Sequence, residues 1–238
     1  IVTGRGKRSI EDHFDNSLEL ESQLSGTSKE YYLDEIKEVV DKATFTYVRQ
    51  HKMLGLGHAI LTGEPLIGNE PFAVILADDF FDCSGDGVIS QLTKIYKKYH
   101  CSIIAIEEIP FTQVEKYGII SGDLIDGTNN TYRVTDMLEK PQSNDLKDFV
   151  KNTVNPNKES DFMAIAGRYI LTPDIFDILK KSKPGKNGEL QITDALKTQA
   201  KSGKVIAYKY KGNRFDCGSI EGYVKATISL AKQRNIIK

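Results

Sequence analysis

Net charge, cysteine and long apolar runs are all scarce in this chain. Its 32 Lys and Arg balance 33 Asp and Glu, for a formal charge of -1. No global field therefore recruits nucleic acid or an anionic membrane, and any anion must be bound locally. Cys83, Cys101 and Cys217 form no C-x-x-C pair and are too few for a disulfide framework, which fits a reducing cytoplasm. They read as small buried hydrophobes. No stretch approaches the roughly 18 consecutive apolar residues of a spanning helix, and no secretory leader is expected. Without one, Asn129-Asn130-Thr131 reads as a polar turn instead of a glycosylation acceptor. An initiator Met is also missing: Ile1-Val2-Thr3 reads as the tail of a strand. The expectation is an N-terminally incomplete domain lacking a first β-α unit.

What is present suffices for a large core. The 238 residues are 39% hydrophobic and 9% aromatic, enough for one extended α/β domain. Helical spacing appears at Ile10, Phe14, Leu18 and Leu20, at Tyr32, Ile36, Val39 and Val40, and at Val88, Leu92, Ile95 and Tyr99. Strands are expected over residues 45–48, 72–76, 102–106, 118–121, 131–138, 164–171 and 205–210, and further helices after Pro173, at Thr193-Asp194 and over 222–233. The order around residues 72–106 is β-α-β. A polar stretch over 143–160 is the best candidate for a mobile insertion, or for a short helix over 146–150.

Three segments can carry chemistry. The apolar run Phe72-Ala-Val-Ile-Leu76 reads as a buried central strand that delivers Asp78 and Asp79 to its C-terminal tip, where open α/β sheets bind ligands. A carboxylate there can hold a hard cation whose other ligands are phosphate and water. The plain alternative is that both residues only begin a turn. Glu139-Lys140-Pro141 sets a carboxylate that can accept sugar hydroxyls beside an ammonium suited to a phosphoryl oxygen; taken alone, such neighbours are usually a solvated surface pair. Arg49-Gln50 with Gly55-Leu-Gly-His-Ala59 offers an amide for a base edge and glycines that allow backbone to approach a flat ring. Gly4-Arg-Gly-Lys-Arg8 lacks P-loop spacing, Gly55-Leu56-Gly57 has Ile60 where a dinucleotide fingerprint needs glycine, and His51 and His58 fail metal spacings.

In this order, Ser9-Ile-Glu-Asp-His-Phe-Asp15, Arg49-Gln50, Gly55-Leu-Gly-His-Ala59, Ile75-Leu-Ala-Asp78, Lys116-Tyr-Gly118, Glu139-Lys-Pro141, Gly167-Arg-Tyr169, Glu189-Leu-Gln-Ile-Thr-Asp194 and Asp216-Cys-Gly218 resemble the bacterial UTP-glucose-1-phosphate uridylyltransferases (UDP-glucose pyrophosphorylases) from Val2 to about Lys232. The family's glycine-rich loop is not among these residues, and the chain alone is expected to be inactive without it. The resemblance implies a mostly parallel, doubly wound (Rossmann-like) nucleotidyltransferase sheet with a small added β region, in a cytoplasmic enzyme that is commonly oligomeric. It implies UTP and glucose 1-phosphate as substrates, UDP-glucose and pyrophosphate as products, and Mg²⁺ as cofactor. Asp78 would ligate the metal, with Asp216 a second candidate and Asp79 a neighbour. Lys140 would contact the sugar phosphate, Glu139 and the Gly118 N-H the glucose hydroxyls, Gln50 and Gly55 the uracil, and Arg168 the sugar pocket. Arg168 as an ion-pair partner, and Thr193 or Asp194 as a helix cap, are the structural alternatives. Thymidylyl or cytidylyl transfer on the same fold, or nucleotide-sugar binding without catalysis, stand as other functions.

Overall fold

The structure, a computed structural model, describes residues 1–142, 145–149, 161–185 and 188–238. Most of the expected insertion over 143–160 lies outside these residues.

The N-terminal part holds β1 (Val2–Thr3), α1 (Arg8–Phe14), α2 (Leu18–Leu24), α3 (Tyr31–Val40) and β2 (Val48–Arg49), with β1 and β2 paired in parallel. The first apolar stripe thus becomes two short helices, because Asp15 takes an extended backbone and Ser17 caps α2 by accepting the Leu20 N-H. Then come α4 (Leu56–Thr62), α5 (Glu64–Ile67), β3 (Phe72–Ile75), β4 (Asp79–Asp82), α6 (Val88–Tyr99) and β5 (Ser102–Pro110). A 3-10 turn at Phe111–Lys116 leads to the hairpin β6 (Gly118–Leu124) and β7 (Thr131–Glu139), followed by α7 (Leu146–Phe149) and β8 (Asp161–Leu171). The chain closes with α8 (Asp174–Lys181), α9 (Ile192–Ala200), β9 (Val205–Lys209), β10 (Asn213–Asp216) and α10 (Ile220–Gln233).

One six-stranded sheet runs in the order β3-β8-β5-β9-β7-β6. β5 and β9 pair in parallel, while β8 lies antiparallel to both β3 and β5, so the α/β sheet is mixed, with less parallel pairing than expected. β5 is its central strand. Ile103 and Ala105 face α6 residues Val88 and Leu92 in one core, whereas Ile104 and Ile106 face Leu179 of α8 and Leu196 of α9 in the other. Residues buried on both faces explain its continuous apolar run. β3, by contrast, pairs only with β8 among the described residues and alternates in burial, with Ile75 60% exposed. It is an edge strand, which corrects the reading of residues 72–76 as buried and central.

β4 and β10 form a separate antiparallel ribbon whose register sets Asp79 opposite Asp216. β8 bulges over residues 166–168, between its pairings of Ile165 with Ile106 and Tyr169 with Ile104. Bulges often re-aim backbone beside active sites. Here it brings the Gly167 N-H to Asp79.

Candidate active site

The sheet's register assembles a cleft. Leu76 continues β3 by donating its N-H to the Gly167 carbonyl, and the chain then turns at Ala77-Asp78. Across the gap, the β6-β7 hairpin sets Gly118 directly opposite Glu139, and the Lys140 N-H donates to the Tyr117 carbonyl. α9 closes a third side with its first turn. The resulting cavity has a volume of about 320 Å³ and is lined by Asp78, Asp79, Lys116, Tyr117, Gly118, Glu139, Lys140, Tyr169, Glu189, Gln191, Thr193, Arg214 and Asp216. The acidic turn and the Glu-Lys pair therefore share one cavity, at the lower end of the size range for small-molecule sites.

On the Glu139 side, Thr193 Oγ1 donates to Glu139 Oε2 at 2.5 Å. A methyl group on Gly118 would sit 3.0 Å from that same Oε2 and 3.2 Å from Thr193 Oγ1. Any larger residue would make Glu139 and Thr193 give way. Thr193 thus orients Glu139 and does not cap α9, whose N-cap is Gln191 without a side-chain cap bond. Asp194 provides no cap bond either, so the helix-cap alternative is corrected. Lys140 adopts a left-handed backbone with φ 43° directly before Pro141, an uncommon conformation for a non-glycine residue and one that concentrates at functional sites.

On the acidic side the two neighbours differ sharply. Asp78 is exposed. Asp79 is buried: its Oδ2 accepts the Gly167 N-H at 2.8 Å, and its Oδ1 pairs with Arg214 Nε and Nη2, each at 2.6 Å. Burial pushes the Asp79 carboxyl above the ordinary range while Arg214 pulls it back. For Arg214 itself burial disfavours the charge, but Asp79 and Glu107 outweigh it and hold the guanidinium protonated. Both Asp79 oxygens are thus engaged by the protein, one by the Gly167 N-H and the other by the Arg214 guanidinium.

Asp216 has a different setting. Its Oδ2 accepts the Tyr117 hydroxyl at 3.0 Å and its Oδ1 the Gly218 N-H at 3.1 Å. A methyl group on Gly218 would sit 3.1 Å from Asp216 Oδ1 and 3.2 Å from Asp78 Oδ2, so the two carboxylates face each other across that glycine. No cluster of three or more His, Cys, Asp or Glu able to hold a metal occurs among the described residues. Two all-oxygen carboxylates facing a phosphate-sized cavity fit Mg²⁺, which keeps waters and takes substrate phosphates as ligands, and do not fit a structural zinc site.

Three expected contacts are placed elsewhere. Arg168 does not line this cleft: its Nη1 donates to the carbonyls of Leu76 and Gly167, its Nη2 donates to the Asp79 carbonyl, and its guanidinium lies 4.5 Å from the Phe81 ring centroid. It braces the turn that carries Asp78, so the sugar-pocket expectation is corrected. Gln50 and Gly55 are not among the residues lining this cavity, although their neighbour Leu56 is. The Gln50 amide nitrogen contacts His58 Nδ1 at 2.8 Å and donates to the Gly55 carbonyl at 3.2 Å. The glycines here serve the protein's own backbone: a methyl group would sit 2.8 Å from the Leu190 carbonyl oxygen at Gly55 and 2.7 Å from it at Gly57. The segment 189–191 thereby docks on 54–57, with Leu190 N-H donating to Leu54 and Gly57 N-H to Leu190.

Tyr117, Thr193 and Arg214 were not singled out as site residues from sequence. Strand periodicity was the signal for Arg214, since it lies two residues before Asp216 on β10 and shares its face.

Comparison with known proteins bears on this geometry. A family model described as Nucleotidyl transferase matches residues 8–233. The UTP-glucose-1-phosphate uridylyltransferase of Pseudomonas aeruginosa is 54% identical over 228 residues, covering 95% of this chain and 76% of that one. An apo UDP-glucose pyrophosphorylase crystal structure superposes with TM-score 0.87 at 53% identity, covering 98% of this chain and 81% of that chain. A UDP-glucose pyrophosphorylase complexed with UDP-glucose gives TM-score 0.83 at 50% identity, with 98% and 80% coverage.

Proposed function

Because the chain belongs to the nucleotidyl transferase family and, within it, to the UTP-glucose-1-phosphate uridylyltransferases, we infer that this cleft is where glucose 1-phosphate meets UTP. The reaction is transfer of a uridylyl group to glucose 1-phosphate, giving UDP-glucose and pyrophosphate. The observation that carries the assignment to this cleft is the convergence of Asp78 with the Glu139-Lys140 pair in one cavity.

The chemistry asks the protein for positioning and charge neutralisation more than for covalent steps. A phosphate oxygen of glucose 1-phosphate attacks the α-phosphorus in line and pyrophosphate leaves. Lys140 holds the sugar phosphate as a mobile point charge. Glu139, fixed by Thr193, accepts glucose hydroxyls, and the Gly118 N-H meets another. Gln50 uses its amide nitrogen on Gly55 and His58, which leaves its carbonyl oxygen to accept a uracil N-H beside Leu56. Asp78 and Asp216 would hold the divalent cation, which we assign as Mg²⁺; when bound it would neutralise phosphate charge that these carboxylates otherwise repel.

Two broader assignments follow. The chain works as one nucleotidyltransferase domain in a cytoplasmic setting, supported by three free thiols and by the lack of any helix long and apolar enough to cross a membrane among the described residues. It self-associates through the exposed Ile220, Tyr223, Val224 and Ile228 of α10; a monomeric mass in light scattering across concentrations would refute this.

Pyrophosphate release from UTP plus glucose 1-phosphate tests the function. Protein extended by the family's glycine-rich loop should release it with Mg²⁺, lose the activity in EDTA and regain it on adding the metal back. Asp78→Asn should lower kcat at least a hundredfold, as expected when a charge-stabilising group is removed (about 10²–10³). Better turnover with dTTP or CTP than with UTP would reject the uridylyl assignment.

A further inference from the structure

Arg214 has a side chain only 7% exposed, yet it bridges two carboxylates on other strands: Asp79 on β4, and Glu107 on β5 through Nη1 to Oε1 at 2.6 Å. Glu107 is held in turn by the Tyr210 hydroxyl at 3.0 Å. Such a cluster is a poor choice for stability alone, since well-packed apolar residues of similar volume commonly do as well or better. Its position suggests another use. β4 and β10 form a two-stranded ribbon, marginal by itself, and this ribbon carries Asp216 at one strand end and Asp78 immediately before the other. Arg214 ties the ribbon to the central strand β5.

The tie continues to the site. The Arg214 guanidinium lies 4.8 Å from the centroid of the Tyr117 ring, and the Tyr117 hydroxyl donates to Asp216 Oδ2. The ring is therefore clamped between a fixed cation and the carboxylate it orients, leaving Oδ1 on the side of Asp78. We propose that Arg214 is a positioning residue that acts through Tyr117 to set the orientation of Asp216 and its separation from Asp78 for capture of a divalent cation. Neutral hydrophobes in its place would fill the space but would leave Tyr117 and the ribbon free to shift. Arg214 also occupies Asp79, so that the second carboxylate of the Asp78-Asp79 pair does not draw the cation inward. This proposal rests on the assignment of Asp78 and Asp216 as the cation's ligands.

Titration of the whole protein with MnCl₂ alone, followed by the loss of the free-ion EPR signal, separates the two levels. Folded Tyr117→Phe and Arg214→Lys should each bind Mn²⁺ about tenfold more weakly than the parent, the lower end of what loss of an orienting partner costs a metal site. Tyr117→Phe, which loses its bond to Asp216, should melt slightly below the parent; a merely structural role would produce that fall without moving the affinity. Parental affinity in either folded variant, with binding abolished in Asp78→Asn, overturns the positioning role and leaves the cation site standing. Parental affinity in Asp78→Asn removes the cation site and this proposal with it. Should Arg214→Lys fail to fold, Tyr117→Phe decides alone.

Discussion

Glu139 and Lys140 show how adjacent residues acquire different tasks. Glu139 ends β7, opposite Gly118, in a regular ladder, so its carboxylate is aimed by strand register and held by Thr193. Lys140 departs from that ladder with φ 43°, a conformation costing an L-residue roughly 1–2 kcal/mol. If the strain serves to turn the ammonium into the cleft, Lys140→Ala and Lys140→Gly should weaken the use of glucose 1-phosphate alike. A lost hydrogen bond to a charged group, roughly 1.5–3 kcal/mol, predicts a rise in KM of about tenfold to a hundredfold. Glycine adopts positive φ without strain, so Lys140→Gly should melt at a higher temperature than Lys140→Ala. Equal melting temperatures would show that the backbone is unstrained. At Gly118 the direction reverses: an alanine methyl would press on Glu139, Ile165 and Thr193 together. If Glu139 holds the sugar as proposed, its displacement by even a fraction of an ångström should cut kcat/KM for glucose 1-phosphate, with about a hundredfold loss as the scale for a 1 Å shift. Affinity for UTP, followed by equilibrium binding, should stay close to parental.

Among the elements, α10 offers the cleanest test of local structure. Ser219 caps it by accepting the Gly222 N-H, and Gly222 packs so closely that a methyl group there would overlap the Asp216 carbonyl oxygen. Ser219→Ala should cost about 1 kcal/mol, the usual value of such a cap, read as a lower urea midpoint at constant slope. The same element level shows what the sequence disclosed. Central strands and long helices were legible from their apolar pattern, a continuous run in Ser102–Pro110 and helical spacing in Val88–Tyr99 and Asp174–Lys181. The ribbon of β4 and β10 was not, since each strand has four residues and its stability comes from Arg214 and from partners more than 100 residues away in sequence. The run at 72–76 misled because apolar content alone does not tell a central strand from an edge strand. Asp78, Glu139 and Lys140 were legible as residues that line one cavity because each sits at or just past a strand end. Thr193 was not, because the choice between capping a helix and orienting a carboxylate is made by tertiary contact with β7.

For the molecule as a whole, buried phenols predict how the fold responds to alkali. Tyr117, Tyr169 and Tyr210 line or flank the acidic side of the sheet, and all three hydroxyls are pushed above the ordinary phenol value, first by burial and then by nearby carboxylates: Asp216 for Tyr117, Glu139 for Tyr169 and Glu107 for Tyr210. In the unfolded chain these groups ionise near the ordinary tyrosine value of about 10. Above that pH the unfolded state has released protons that the folded state still holds, so stability falls as pH rises. Below it both states are protonated and these groups add no pH dependence. Denaturation in urea at pH 8, 10 and 11 should therefore show a falling midpoint only in the upper part of the range. Tyr210→Phe should begin from a lower stability at pH 8, because it loses the bond to Glu107, yet should lose less between pH 10 and 11 than the parent, because one of the raised groups is gone. Parallel curves for the two proteins would mean that Tyr210 ionises alike folded and unfolded. The cluster around Arg214 would then be open to solvent, contrary to its burial.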